Sequence, residues 1–219
     1  MIFSKIIDLI SVMLYNLNEI KRKWSYVLKR ELIYKIFSRM PTLETERLIL
    51  RKLEPSDAAD MFDYAKREDV TRYLTWYPHK SESATEQYLA YISRLYGAGS
   101  FYDWAVVDKG SQRMIGTCGF TRFDFRHDSG EIGYVLNPDF WGRGLMPEAA
   151  AEVVRFGFEN LLLNRIEAKH LTGNEASRRV MEKLGMTYEG VSRGAMLIKG
   201  KYRDVHTCAI LRSEYEEKK

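Results

Sequence analysis

The sequence predicts a mixed α/β domain: one central mixed sheet with helices on its faces, preceded by an additional helix. Three observations predict it. Short segments that alternate polar and apolar residues, as half-buried strands do, recur between Arg47 and Leu211. Between them lie segments with apolar residues three and four apart, opened by Pro, Ser or Asn and closed by Gly, as helices are. Their order is a β-rich meander followed by strand–helix–strand–helix–strand, which suits a single sheet. With 219 residues, 45% hydrophobic and 13% aromatic, the chain can bury a sizeable core, and disorder is not expected over most of its length.

Residues 1–40 read as an amphipathic, basic helical extension. Phe3, Ile6, Ile10, Met13, Leu17, Ile20, Trp24 and Val27 form one apolar stripe across four heptads. Eight Lys/Arg against Asp8, Glu19 and Glu31 place the chain's basic excess here, so residues 41–219 are close to neutral although the whole carries +4. A stripe of this kind packs on its own domain or on a second copy of the chain, and a homodimer through this helix is the expectation it carries. A membrane surface is the lesser expectation, and nucleic acid is not expected, because the charge sits in one segment. Met40 directly precedes the domain, which leaves open a start of translation there with the helix dispensable.

Residues 41–219 form the domain. Arg47 to Leu53 alternates as a strand. Pro55-Ser56-Asp57 opens a helix to about Lys66, and a second helix fits Ser81 to Tyr96 before Gly97. Trp104–Val107 and Met114–Phe120 read as strands joined by Asp108-Lys109-Gly110-Ser111. Glu131–Leu136 is a strand stopped by Asn137-Pro138, and a helix starts at Pro147 with Ala150, Val153, Val154, Gly157, Phe158 and Leu161 on its apolar face. Arg165–Leu171 alternates again. A short helix from Asn174 to Leu184 is closed by Gly185, and strands near Met186–Val191 and Val205–Leu211 end the domain.

Several function classes drop out. Cys118 and Cys208 lie in separate predicted strands with no C-x-x-C, and His79, His127, His170 and His206 lack ligand spacing, so no metal is expected. Two buried, reduced thiols and the absence of an 18-residue apolar run or a secretory leader pattern give a cytoplasmic expectation.

The chemistry concentrates in Glu131-Ile-Gly-Tyr-Val-Leu-Asn-Pro-Asp-Phe-Trp-Gly142-Arg-Gly144-Leu-Met-Pro147. A strand ends, a Gly-rich turn follows, and a helix begins. Free N–H groups of such a turn and of the helix N-terminus form a site for an anion such as a pyrophosphate, and glycine allows the close approach. The Gly-Lys-Ser/Thr ending of a Walker loop is missing. Near it, Thr71 to Tyr77 and Phe120 to Phe125 are aromatic-rich.

This stretch resembles the coenzyme A-binding segment of the GNAT superfamily of N-acetyltransferases. The resemblance runs from about Pro41 to Tyr215. Leu43-Glu-Thr-Glu-Arg-Leu-Ile-Leu-Arg51 and Asn174-Glu-Ala-Ser177-Arg-Arg-Val-Met-Glu-Lys-Leu-Gly-Met-Thr-Tyr-Glu-Gly190 are similar to the RimJ/RimL-type branch, whose named members acetylate N-termini of ribosomal proteins. The resemblance implies a GNAT-like, mostly antiparallel mixed sheet flanked by helices, and acetyl-CoA as co-substrate. It places the cofactor at Tyr134, Val135, Leu136, Trp141, Gly142, Arg143, Gly144, Leu145, Met146, Asn174 and Ser177. The family's loop pattern, Gln/Arg-x-x-Gly-x-Gly/Ala, matches at Gly144, whereas Trp141 and Met146 depart from it. By the same resemblance Glu131 is the candidate base and Ser177 the candidate acid to the leaving thiolate. Met181 stands where many members carry a tyrosine, and Met196 near a second carboxylate of one member. Tyr73, Trp76, Phe120 and Phe123 are expected to wall the acceptor pocket.

The expected reaction is acetyl transfer to a primary amine by direct attack on the thioester. An amine with a pKa of about 10.4 costs about 4.6 kcal/mol to deprotonate at pH 7, an α-amine near 7.8 only about 1. One plausible carboxylate suits the α-amine of a protein or peptide N-terminus. Small-molecule acceptors (a polyamine, an aminoglycoside, an amino-acid derivative) and a coenzyme A-binding module without turnover remain open alternatives.

Overall fold

In the computed structural model, residues 26–217 are described. Residues 26–38 are helical (α1). There follow β1 (Leu43–Glu44), β2 (Leu48–Arg51), a 3-10 turn at Pro55–Asp57, α2 (Ala58–Ala65), α3 (Glu68–Thr71), α4 (Glu82–Gly97), β3 (Tyr102–Asp108), β4 (Met114–Asp124) and β5 (Ser129–Leu136). Then come a 3-10 turn at Pro138–Phe140, α5 (Leu145–Glu159), β6 (Arg165–Leu171), α6 (Glu175–Lys183), β7 (Thr187–Ile198), β8 (Lys201–Leu211) and α7 (Arg212–Glu216).

The strands form one sheet in the order β1-β2-β3-β4-β5-β6-β8-β7. β5 and β6 are parallel, and the other neighbours are antiparallel. The mixed, mostly antiparallel sheet expected from the sequence is therefore present. The β5–β6 pairing runs only from Ser129↔Arg165 to Ile132↔Ala168. Beyond it the two strands diverge, and β6 continues paired with β8 alone.

Alternation along the strands feeds two cores. Trp104, Val106, Cys118, Phe120 and Ile132 pack with α5 on one face; Ala105, Val107 and Met114 pack with α2 and α4 on the other. α1 belongs to the α5 face. Ile33 and Phe37 are fully buried there, and Phe37 meets Tyr102, Trp104 and Phe156 at ring separations of 4.9, 5.4 and 6.3 Å. The last turns of this helix thus belong to the core, and a chain starting at Met40 would lack Ile33 and Phe37. The stripe from Phe3 to Trp24, and with it the dimer contact through this helix, lies outside the described residues.

The structure lengthens five predicted strands, β3 and β5 only at their ends. β4 continues through the aromatic stretch that the sequence reading left between elements, and β7 and β8 extend into a long hairpin. β4 bulges at Thr121, because Phe120 pairs with Ile132 and Arg122 with Glu131. The bulge lets Phe120 and Phe123, three residues apart, face the same core. Among the described residues no helix is long and apolar enough to cross a membrane.

Candidate active site

The divergence of β5 from β6 opens a cavity of about 570 Å³. Tyr134, Val135 and Leu136 of β5 line one side, and Gly173, Asn174, Ser177 and Val180 of the α6 segment the other. The Gly-rich turn and the start of α5 close its end with Trp141, Gly142, Gly144, Leu145 and Met146.

The turn is built to receive an anion. Gly142 and Gly144 both have φ of 75°, the left-handed region that glycine enters without cost. A Cβ on Gly142 would meet nothing within 4 Å. The amides of residues 142–146 donate no hydrogen bond among the described residues, so they remain free for a ligand at the positive end of α5. Arg47 braces the turn from behind: its guanidinium donates to the Arg143 carbonyl at 3.0 Å and pairs with Glu148 at 2.6 Å. Glu148 also accepts from the Thr45 hydroxyl and the Arg47 amide, and these bonds hold its carboxyl below the usual range against the cost of burial.

Arg72, Arg179 and Lys183 line the same cavity. On α6, Arg178 is consumed by Glu175 and Glu182, whereas Arg179 and Lys183 form no ion pair among the described residues. Free amides, an uncrowded glycine turn and unpaired cations fit the phosphates of coenzyme A. The sequence reading missed these three cations. The i,i+4 spacing of Arg179 and Lys183 on a helix bearing Ser177 was the available signal.

Of the residues expected at the cofactor, Arg143 alone does not line the cavity; its side chain turns back to the Asp139 carbonyl at 2.7 Å and covers the Phe140 ring. Asn174 caps α6, its Oδ1 accepting from the Ser177 amide at 3.2 Å. The Ser177 hydroxyl lies 3.0 Å from the Tyr134 phenol, which also donates to the Ser177 carbonyl at 3.1 Å. Burial pushes the Tyr134 phenol well above its usual range, so it stays protonated at neutral pH and donates a hydrogen bond. Met181, in the place where many members carry a tyrosine, is buried in the core.

Glu131 lies outside this lining. It sits at the last stretch of β5–β6 pairing, its carboxylate 2.6 Å from Lys169 Nζ and 3.3 Å from Arg122, with the Thr121 hydroxyl also donating to it. Tyr73 lines the cavity and donates to the Gly173 carbonyl at 2.9 Å. The other expected acceptor aromatics do not line it. Trp76 packs against the α2/α4 core, and Phe120 is buried in the α5-side core with Phe123 against it, because the bulge turns both inward. Among the described residues no group of His, Cys, Asp and Glu could hold a metal.

Comparison with known proteins identifies the family. Residues 47–187 match the Acetyltransferase (GNAT) domain family. Over 176 residues the chain is 36% identical to p20 of Bacillus licheniformis, an uncharacterized N-acetyltransferase, covering 80% of this chain and 99% of p20. Over 170 residues it is 28% identical to the [ribosomal protein uS5]-alanine N-acetyltransferase of Escherichia coli K12, covering 74% of this chain and 86% of that protein. The crystal structure of a GNAT-family acetyltransferase from Bacillus anthracis superposes with a TM-score of 0.71 at 30% identity, covering 80% of this chain and all of that one.

Proposed function

The chain belongs to the GNAT family and is an acetyl-CoA-dependent N-acetyltransferase; from that premise we propose that its acceptor is the α-amine of a protein or peptide N-terminus, in the cytoplasm. The observation that carries the acceptor class is the similarity to the E. coli ribosomal-protein alanine acetyltransferase along most of both chains. The low cost of deprotonating an α-amine at neutral pH points the same way.

When bound, acetyl-CoA supplies an activated thioester. The amides of residues 142–146, with Arg72, Arg179 and Lys183, hold its phosphates. An amide of β5 that has lost its β6 partner polarises the thioester carbonyl. Ser177, paired with the Tyr134 phenol, delivers a proton to the leaving thiolate.

The test is thiol release from acetyl-CoA with three acceptors: a peptide with a free N-terminal alanine, the same peptide N-terminally blocked but carrying lysine, and spermidine. Release with the first alone is expected. Turnover of spermidine without the free peptide overturns the acceptor class.

A further inference from the structure

Trp141 occupies a hydrogen-bond acceptor that the sheet leaves open. β5 ends at Leu136, and the next amide, that of Asn137, donates to the Ile115 carbonyl of β4 at 2.7 Å. Backbone groups of successive strand residues point to opposite sides, so those of Tyr134 and Leu136 point away from β4. On that side the pairing with β6 has already stopped at Ile132↔Ala168. The cleft edge of β5 therefore carries the N–H and C=O of Tyr134 and of Leu136. Among the described residues three of these four groups have no partner. The fourth, the Leu136 carbonyl, accepts from the Trp141 indole at 2.8 Å.

A tight return in the chain makes this contact. Asn137 is buried; its Oδ1 accepts from the Asp139 amide at 3.1 Å, and its Nδ2 donates to Asp63 at 3.2 Å. The Phe140 and Trp141 amides close the 3-10 turn onto the Asn137 and Pro138 carbonyls, each at 3.0 Å. The chain doubles back, and the indole comes to lie beside the strand it has just left. Trp141 lines the cavity and is 47% exposed, so its ring is not spent on the core. It stands between the two ends of the site. The turn at Gly142 and Gly144 follows it directly, whereas Tyr134, which meets the Ser177 hydroxyl at 3.0 Å, lies two residues back along β5 from Leu136.

We propose that Trp141 is a positioning residue for the donor: by holding the Leu136 carbonyl it denies that rung to the arm of acetyl-CoA, and the Tyr134 carbonyl, beside Ser177, is the one left open. The inference rests on the acetyl-transfer reading of the cleft. The arm between the phosphates and the sulfur carries secondary amides, and an unpaired edge carbonyl is the natural partner of such an N–H. With both rungs open, the arm has two registers to choose from, about 7 Å apart along the strand. Only one of them suits a sulfur that Ser177 must reach. Closing the Leu136 rung removes the other, as a single fixed contact pins the register of a strand. Trp141 acts through the arm and does not touch the reacting atoms.

The experiment compares the full chain with Trp141→Phe, which keeps a ring and loses the donor, and Trp141→Gln, which keeps a donor and loses the ring. Acetyl-CoA is titrated by calorimetry and by tryptophan emission. Turnover is followed with whichever of the alanine peptide and spermidine the wild type accepts. Acetyl-CoA should change the emission of the wild type, and most of that change should vanish in both variants. Trp141→Phe is expected to lower kcat about tenfold with acetyl-CoA affinity kept within about threefold, and Trp141→Gln to recover most of kcat. Added to Ser177→Ala, Trp141→Phe should cost little more, because placing the sulfur matters only where Ser177 serves it. A role confined to holding the loop would lower affinity and melting temperature and leave kcat in place.

Wild-type kcat in Trp141→Phe, equal losses in the Phe and Gln variants, or losses that multiply with that of Ser177→Ala overturn the proposal. So does calorimetric binding that leaves the wild-type emission unchanged. Should Trp141→Phe fail to fold, a tenfold loss of kcat in Trp141→Gln overturns it. Absence of any acetyl-CoA binding overturns the reading of the cleft and this proposal together.

Discussion

The hydroxyls of Tyr134 and Ser177 lie 3.0 Å apart, joining the β5 and α6 sides of the cleft. Because the Tyr134 hydrogen is directed to the Ser177 carbonyl, the Ser177 hydrogen is left to point at the phenol oxygen or at a ligand between them. The two act as one unit. Ser177→Ala and Tyr134→Phe are each expected to lower kcat by about tenfold, and the double variant to be little worse than the poorer single one. Additive losses measured by steady-state kinetics would separate their roles.

Gly144→Asp is expected to weaken acetyl-CoA at least about tenfold by calorimetry, from two causes. Aspartate is strained at φ of 75°, and its charge opposes phosphate at the start of α5. Unchanged affinity would remove the phosphates from this turn.

Phe37→Ala should destabilise the domain by about 3–5 kcal/mol, since a fully buried ring in an aromatic cluster is lost. Thermal melting checks it. A chain beginning at Met40 loses both Ile33 and Phe37 and should melt lower still.

Asp103 makes stability depend on pH in a direction opposite to most acids. Its folded carboxyl titrates at about 7 against an ordinary value of 3.8, so the native state holds the proton more tightly than the unfolded chain. Its contribution is fully present below about 4 and is lost as pH rises through about 7. Asp103→Asn should therefore melt higher than wild type at pH 8, with the difference shrinking toward pH 5. A constant difference across that range would mean that the carboxyl titrates normally.

Much of this was readable from residue order. The half-buried strands announced themselves by alternation, as in Arg165–Leu171, and the turn into α5 by Gly142 and Gly144 ahead of Pro147. What escaped was set by tertiary pairing. β1 has two residues and α3 four, too short for a period to show. That Phe120 and Phe123 turn into the core was hidden because local sequence does not reveal a bulge. The three-residue step from Phe120 to Phe123 was its trace, since two core-facing residues at odd spacing on one strand require one. Asp103 reads as an ordinary polar residue before Trp104, and only the pairing of β3 with Gly119 shows its carboxyl packed over that glycine and shut off from water.

The early end of the β5–β6 ladder has a consequence in time as well as in shape. From Gly133 to Leu136, β5 keeps its β4 neighbour and lacks one on the other side. Every second amide of this stretch, the set turned away from β4, has no β6 partner and borders the cavity. Those protons should exchange with deuterated water far faster than the alternate amides bonded to β4. Acetyl-CoA should slow them selectively, so the vacant rung of the sheet can be read as a clock that the bound thioester stops.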